Sequence, residues 1–386
     1  MSLSLFMSTF ITARLLSDTD NSLLAVGLYF LVTWCAMFVG FAITSYVIKR
    51  ASRVWAIRIS AIGKVIAVIL VIFLQDYTVE YFWLFGIIFG LAEGMYWGAI
   101  LTLTAQTFSG SKMVGFVIWE QVARAIASIL MPFTLGAVIE WVAFGVAAII
   151  SFGLGVGLLI CTLVMKEETS RNCKPLSMRN YLRAMKEQGH SKAVWNHFWL
   201  QALHDTYRRL VVIKVILLMV AVGTNIGLGI FGSVFAAANI LIILVYKWLG
   251  PKTKKGATMY WLSAFLPFSL ALYILFDVNL TSVILLHVGN SVIGSIVRAE
   301  VDKLRFNLTT YLGDKSWHTE SILFTEIAFM LSRLLIPLII IVAYFSDAFF
   351  IIQVITVTMM ALYMVVGVMN KRWHKKFRGS QKKTLP

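Results

Sequence analysis

Glu120, Gln121 and Arg124 lie in an apolar run that closes on Met131-Pro132. Glu120 and Arg124 are four apart, so on a helix they share one face, where a carboxylate and a guanidinium can meet. About two hundred residues later Glu326 and Arg333 precede Leu334-Leu335-Ile336-Pro337 in a second such run. Ionised side chains cost several kcal/mol at membrane depth, so those retained there face the protein interior, pair with one another and mark solute or proton paths. Two charged, proline-bearing spans at equivalent places in two halves point to a transporter built from a repeat.

Other polar groups sit in comparable surroundings. Glu93 lies past the middle of an apolar run, with Tyr96 and Trp97 one turn on. Burial raises a carboxyl pKa toward neutrality, so a carboxylate beside aromatics suits a proton or cation site; an internal salt bridge that holds helices together is the alternative. His204-Asp205 is followed by Arg208-Arg209 and Lys214. Adjacent residues point about 100° apart on a helix, so this cluster divides between faces. Asp205 can pair locally with Arg208 or Arg209, leaving one arginine for an anionic substrate group. His287 and Asn290 share a face, and Arg298, Glu300 and Asp302 follow as a solvated gate network. Lys64 falls ~16 Å beyond Arg53 along a helix and is expected to pair within the amino-terminal half.

Composition fixes the setting. Of 386 residues 59% are hydrophobic and 13% charged, which excludes an ordinary soluble domain. Runs long enough to span a bilayer lie near 23–48, 54–75, 82–107, 113–139, 141–165, 194–221, 226–249, 257–276, 280–301, 317–345 and 348–370, with residues 2–17 a shorter twelfth. The net charge of +16 would suggest nucleic acid in a soluble protein. Here the basic residues alternate between loops: Lys49, Arg50, Arg53, Lys112, the loop from Lys166 to Lys192, Lys252 to Lys255, Lys303 to Lys315 and the tail from Lys371 are basic, whereas the intervening connectors carry no Lys or Arg. That segregation places both termini and the middle loop in the cytoplasm and leaves no case for nucleic acid. Cys35, Cys161 and Cys173 show neither disulfide nor metal-site spacing, and no cofactor is expected.

The expected organisation is an amino-terminal six-helix bundle over 1–165, a middle loop over 166–192, a carboxy-terminal bundle over 193–370 and a basic tail over 371–386. In the middle loop Met178, Tyr181, Leu182 and Met185 share a helical face opposite Arg179, Arg183 and Lys186, which suits a helix on the anionic leaflet or a solvated linker helix. The halves align at an offset of a little over two hundred residues: Gly27-Leu28-Tyr29 with Gly229-Ile230-Phe231, the turn Lys49–Arg53 with Pro251–Lys255, and Pro132 with Pro337. On that offset span one is short by about ten residues and its start is expected upstream.

In this arrangement the chain resembles the major facilitator superfamily, whose members have two six-helix halves, a long cytoplasmic middle loop and a basic turn after spans two and eight. The family's Gly-x-Leu-Ala-Asp-Arg-x-Gly-Arg turn corresponds to Ser45–Arg53, where Arg50 and Arg53 match and the acidic and glycine positions do not. Glu93-Gly94 stands where many members have Gln-Gly, with Gly90 at the arginine position, and Met131–Gly136 keeps the proline and last glycine of a drug-antiporter motif. The resemblance implies an all-α membrane protein of twelve transmembrane helices in two pseudo-symmetric bundles, with spans one, four, seven and ten lining a central cavity.

No metalloprotease, nucleotide-binding or hydrolase motif is present, so the expectation is not an enzyme and not an ATP-driven pump. The expected activity is secondary transport of a small solute across the cell membrane by a monomer, coupled to protons through Glu93, Glu120 or Glu326. Candidate substrate or proton contacts are Glu93, Tyr96, Trp97, Glu120, Gln121, Arg124, His204, Asp205, Arg208, His287, Asn290, Glu326 and Arg333, with Arg50, Arg53 and Arg298 at the cytoplasmic gate. A lipid or glycolipid flippase and a non-transporting membrane scaffold or sensor are the alternatives.

Overall fold

In hydrocarbon every backbone group must be bonded within its own segment, so apolar runs of this length become helices. The computed structural model describes residues 2–18, 23–107, 110–166, 177–249, 253–301, 317–346 and 349–384. Helix α1 covers residues 2–18 and contains a π-helical turn, Phe6–Phe10. It is followed by α2 (Leu23–Arg50), α3 (Arg53–Phe73), α4 (Thr78–Thr107), α5 (Gly110–Trp141) and α6 (Phe144–Val164). A short α7 (Met178–Glu187) leads into α8 (Ser191–Val222), α9 (Asn225–Leu249) and α10 (Lys254–Ala271). The chain ends in α11 (Leu280–Val301), α12 (His318–Phe345) and α13 (Phe349–Thr384). No strand occurs among the described residues.

Among these residues nine helices are long and apolar enough to cross a membrane. The short α1, the partly described α5 and the charge-bearing α8 complete the twelve spans, and the protein is a multi-pass membrane protein. The basic turns are capped alike in the two halves. The Ser52 hydroxyl accepts from the Trp55 amide before α3, and the Thr253 hydroxyl accepts from the Gly256 amide before α10. Helix α13 continues through Thr384, beyond the boundary expected at residue 370, because Lys, Arg and Gln are good helix formers.

Small residues decide how closely the helices approach. Gly86, Gly90, Gly94 and Gly98 recur every four residues on α4 and face α2. A Cβ on Gly90 or Gly94 would run into the carbonyls of Thr33 and Met37, and one on Gly98 would stand 3.0 Å from Thr44 Cβ. This small-residue stripe lets two backbones touch, the usual solution where lipid removes any hydrophobic drive between helices. With Gly94 committed to α2, its neighbour Glu93 is turned about 100° away, toward α3.

Among the described residues two close glycine seams join the halves. At the first, Gly229 of α9 lies against the Pro132 carbonyl of α5, a Cβ on Gly136 would stand 2.6 Å from Asn225 O, and Ser233 Oγ donates to Ile129 O at 2.5 Å. At the second, a Cβ on Gly27 of α2 would stand 2.8 Å from Ile341 and 3.3 Å from the Pro337 carbonyl of α12. Gly27 and Gly229 are equivalent in the repeat, as are Pro132 and Pro337, so the seams are two copies of one crossing. Both lie toward the end opposite the basic turns, near Leu23, Trp141, Asn225 and Phe345.

The structure departs from the expectation for α7. Its apolar face meets protein rather than lipid: Tyr181 and Met185 are buried against Val194, Phe198, Phe324 and Ala328, while Arg179, Arg183 and Lys186 stay exposed. The aromatic side chains at the start of α8 and α12 supply a closed apolar socket, which satisfies that face without the membrane.

Candidate functional site

Three helices of the first half converge on Glu93. Lys64 Nζ of α3 lies 2.6 Å from Glu93 Oε2, and Trp97 Nε1 and Ser4 Oγ donate to Oε1 at 2.8 and 3.0 Å. The ammonium also sits 3.8 Å from the centroid of the Tyr96 ring, close enough for cation–π attraction. Of the two readings open for Glu93, its geometry is that of an internal salt bridge, and Lys64 pairs within the first half as expected. Ser4 brings α1 to the same carboxylate.

The second half builds a larger network around Asp205. Arg209, one turn on, grips both carboxylate oxygens, with Nε to Oδ2 at 3.2 Å and Nη2 to Oδ1 at 3.3 Å. Arg333 of α12 places Nε 3.4 Å from Oδ2, and Ser332 Oγ donates to the same atom at 3.0 Å. Arg333 in turn reaches Glu326 Oε2, two turns back on the same helix, at 3.3 Å. Asp205 and Glu326 are 1% and 3% exposed, so these charges are held out of water and depend on one another. The local partner of Asp205 is Arg209; Arg208 is half-buried.

This network touches the first half. The Arg209 guanidinium lies 5.4 Å from the centroid of the Trp34 ring on α2, and Arg333 Nη1 is 3.6 Å from Met37 Sδ. Neither Trp34 nor Met37 stands out in the sequence, because aromatic and sulfur-bearing side chains are ordinary in an apolar span. Their role comes from helix crossing alone.

Helix α11 contributes through its backbone. Its residues Val288–Ile293 form a π-helical turn in which Gly294 N bonds Gly289 O, and the Asn290 carbonyl receives Tyr207 OH at 2.8 Å and Arg298 Nη2 at 3.2 Å. Such turns release a carbonyl from the ladder and are frequent at functional sites. Tyr207 stacks on Tyr363 at 3.7 Å between centroids, and Tyr363 OH donates to Gly294 O. Arg298, expected at the gate from its place near the end of the span, thus reaches back toward Asn290 in the middle of α11. His287 stacks on Phe235 at 4.7 Å with Nε2 3.3 Å from Lys214 O, and His204 is fully buried.

The remaining candidates lie elsewhere. Arg50 stacks on Tyr46 and is exposed, and Arg53 opens α3. Arg58, on α3, donates to the carbonyls of Thr162, Leu163 and Met165 and so closes the end of α6. The side chains of Glu120, Gln121 and Arg124 lie outside the described residues. No group of His, Cys, Asp and Glu suited to a metal occurs among the described residues.

No protein-family model and no curated protein matches the chain. Solved structures do. A mutant of the nucleoside transporter NupG superposes with a TM-score of 0.64 at 14% identity, covering 96% of each chain. A POT family transporter in complex with 5-aminolevulinic acid gives 0.66 at 12% identity, covering 97% of this chain and 95% of that one. A bacterial homologue of the iron transporter ferroportin, in an inward-facing state, gives 0.65 at 14% identity over 96% and 95%. The chain has the major facilitator fold. In the major facilitator fold α1, α4, α8 and α11 are the central spans, and these carry Ser4, Glu93, Asp205, Arg209, Asn290 and Arg298.

Proposed function

We propose that the protein is a secondary transporter, moving a small solute across the cytoplasmic membrane by alternating access with protons as the coupling ion. The observation that carries this reading is the pair of equivalent glycine–proline seams, at one end, between two halves that also meet in a charged layer at mid-depth. Two bodies joined at twin crossings can rock, and a carrier must expose one site to each side in turn. With the basic loops cytoplasmic, the seams close the outer side and the arrangement is inward-facing. The neighbours named above are a nucleoside transporter, a POT family transporter and a homologue of an iron transporter, which supports transport without fixing a cargo. Of the three carboxylates expected to carry protons, Glu93 is committed to Lys64, which leaves Glu326 and Glu120 as the candidates. Glu326 leads because its protonation would release Arg333 to Asp205 alone.

The reading is tested in proteoliposomes with labelled solutes and an imposed pH gradient. Wild-type flux rises with the gradient, while Glu326→Gln retains counterflow and loses that acceleration. Counterflow of no solute would end the transport reading; gradient-independent wild-type flux would end the proton reading alone.

A further inference from the structure

Helices α8 and α12 bring two guanidiniums, Arg209 and Arg333, against Asp205 and Glu326, both buried within their spans. Ions kept in a low-dielectric layer stay paired, so a guanidinium that leaves its carboxylate there needs another anion in its place. Asp205 carries a double load, with two guanidiniums and a hydroxyl on one carboxylate. Arg333 is locked, with 7% of its side chain exposed and Glu326 as a second partner, whereas Arg209 keeps 22% exposed and turns a face to Trp34 across the junction of the halves.

We infer that this layer binds a small anionic substrate, a carboxylate or phosphate, whose acid group takes the place Asp205 fills on Arg209. Asp205 is then an internal stand-in that neutralises Arg209 while the carrier is empty. When an anion arrives, Arg209 turns its planar fork from Asp205 to the substrate, and Arg333 and Ser332 hold the released carboxylate. Arginine suits this exchange because its fork accepts either acid group in bidentate fashion. The inference rests on the transport reading and narrows it to a substrate class.

Its test uses the purified full chain in detergent. The thermal unfolding midpoint is followed at constant ionic strength with succinate, lactate, inorganic phosphate and glucose 6-phosphate, with uridine and choline as neutral and cationic controls. One or more anions raise the wild-type midpoint, and whether carboxylates or phosphates do so identifies the acid group. Arg209→Gln weakens anion binding about tenfold or more, Arg209→Lys less, and Arg179→Gln on the exposed face of α7 leaves it unchanged. Asp205→Asn tightens anion binding by removing the competitor, an outcome that a purely structural aspartate would not give; should that variant fail to fold, the Gln and Lys variants of Arg209 decide. Equal anion binding by wild type and Arg209→Gln overturns the site. Binding and counterflow of uridine or choline without the anions overturns the class and leaves transport standing. Absence of counterflow for every solute removes the transport reading itself.

Discussion

Lys64 Nζ on α3 stands 2.6 Å from Glu93 Oε2 on α4, with 2% and 11% of the two side chains exposed. Taking both ions out of water is costly, and the pair persists because Trp97, Ser4 and the Tyr96 ring complete its environment. Truncating one partner strands a buried charge. Lys64→Met is therefore expected to cost about 3–5 kcal/mol, and Lys64→Met with Glu93→Leu much less than the two singles together. Chemical denaturation in mild detergent measures all three; additive losses would show that the pair does not act as a unit.

The seams predict an asymmetric response to added methyl groups. At Gly229 the new Cβ would meet the Pro132 carbonyl, which is backbone and cannot swing aside, so Gly229→Ala should destabilise by about 1–3 kcal/mol. Gly153 has nothing within 4 Å of its would-be Cβ. There the same change is expected to gain up to about 1 kcal/mol from helix propensity. Thermal midpoints of the two variants, run in parallel, decide the matter.

Glu140 offers a direct probe of the closed side. Its Oε2 accepts from the Asn225 amide at 3.1 Å, so the end of α5 is tied to the start of α9. Cysteines at 140 and 225, in a background lacking Cys35, Cys161 and Cys173, should be joined by a short bifunctional thiosulfonate. Joining them is expected to abolish counterflow, and reduction to restore it. Full activity in the linked protein would mean that this end need not open.

The docking of α7 should ignore pH over a wide range. Burial pushes the Tyr181 hydroxyl above the ordinary tyrosine value, and Glu320 nearby opposes its ionisation further. The neutral form is the one that folding favours, so its contribution is complete below the unfolded value of about 10 and fades only as pH rises beyond it. Proteolysis of the segment between α6 and α8 should be flat from about pH 6 to 9. Tyr181→Ala, which empties the socket against Trp317 and Phe324, should speed cleavage at every pH and cost about 3 kcal/mol. Arg183→Gln, on the exposed face, should change neither.

Much of the fold is legible because hydrocarbon leaves few options. An apolar run of fixed length becomes a helix, and charge segregation orders the loops. Local pairing follows in outline: helical spacing offers Asp205 either Arg208 or Arg209, and the structure gives it Arg209, while Glu326 meets Arg333 two turns on along the same helix. The rest depends on crossings that no spacing records. Trp34 and Met37 become partners of Arg209 and Arg333 only because Gly27 lets α2 lie against α12. The carbonyl of Asn290 becomes an acceptor only because α11 takes a π-helical turn, which leaves no mark in residue types. The apolar stripe of α7 was readable, but whether it meets lipid or protein depended on Phe198 and Phe324, far off in sequence.

Because the Pro132 and Pro337 crossings are copies of one another, the closed end behaves as a lid held by two matching pins. Loosening one pin alone would not lift the lid; it would let one half swivel about the other pin. A protein damaged at a single seam should therefore tilt rather than gape, and open a lopsided gap beside the weakened crossing.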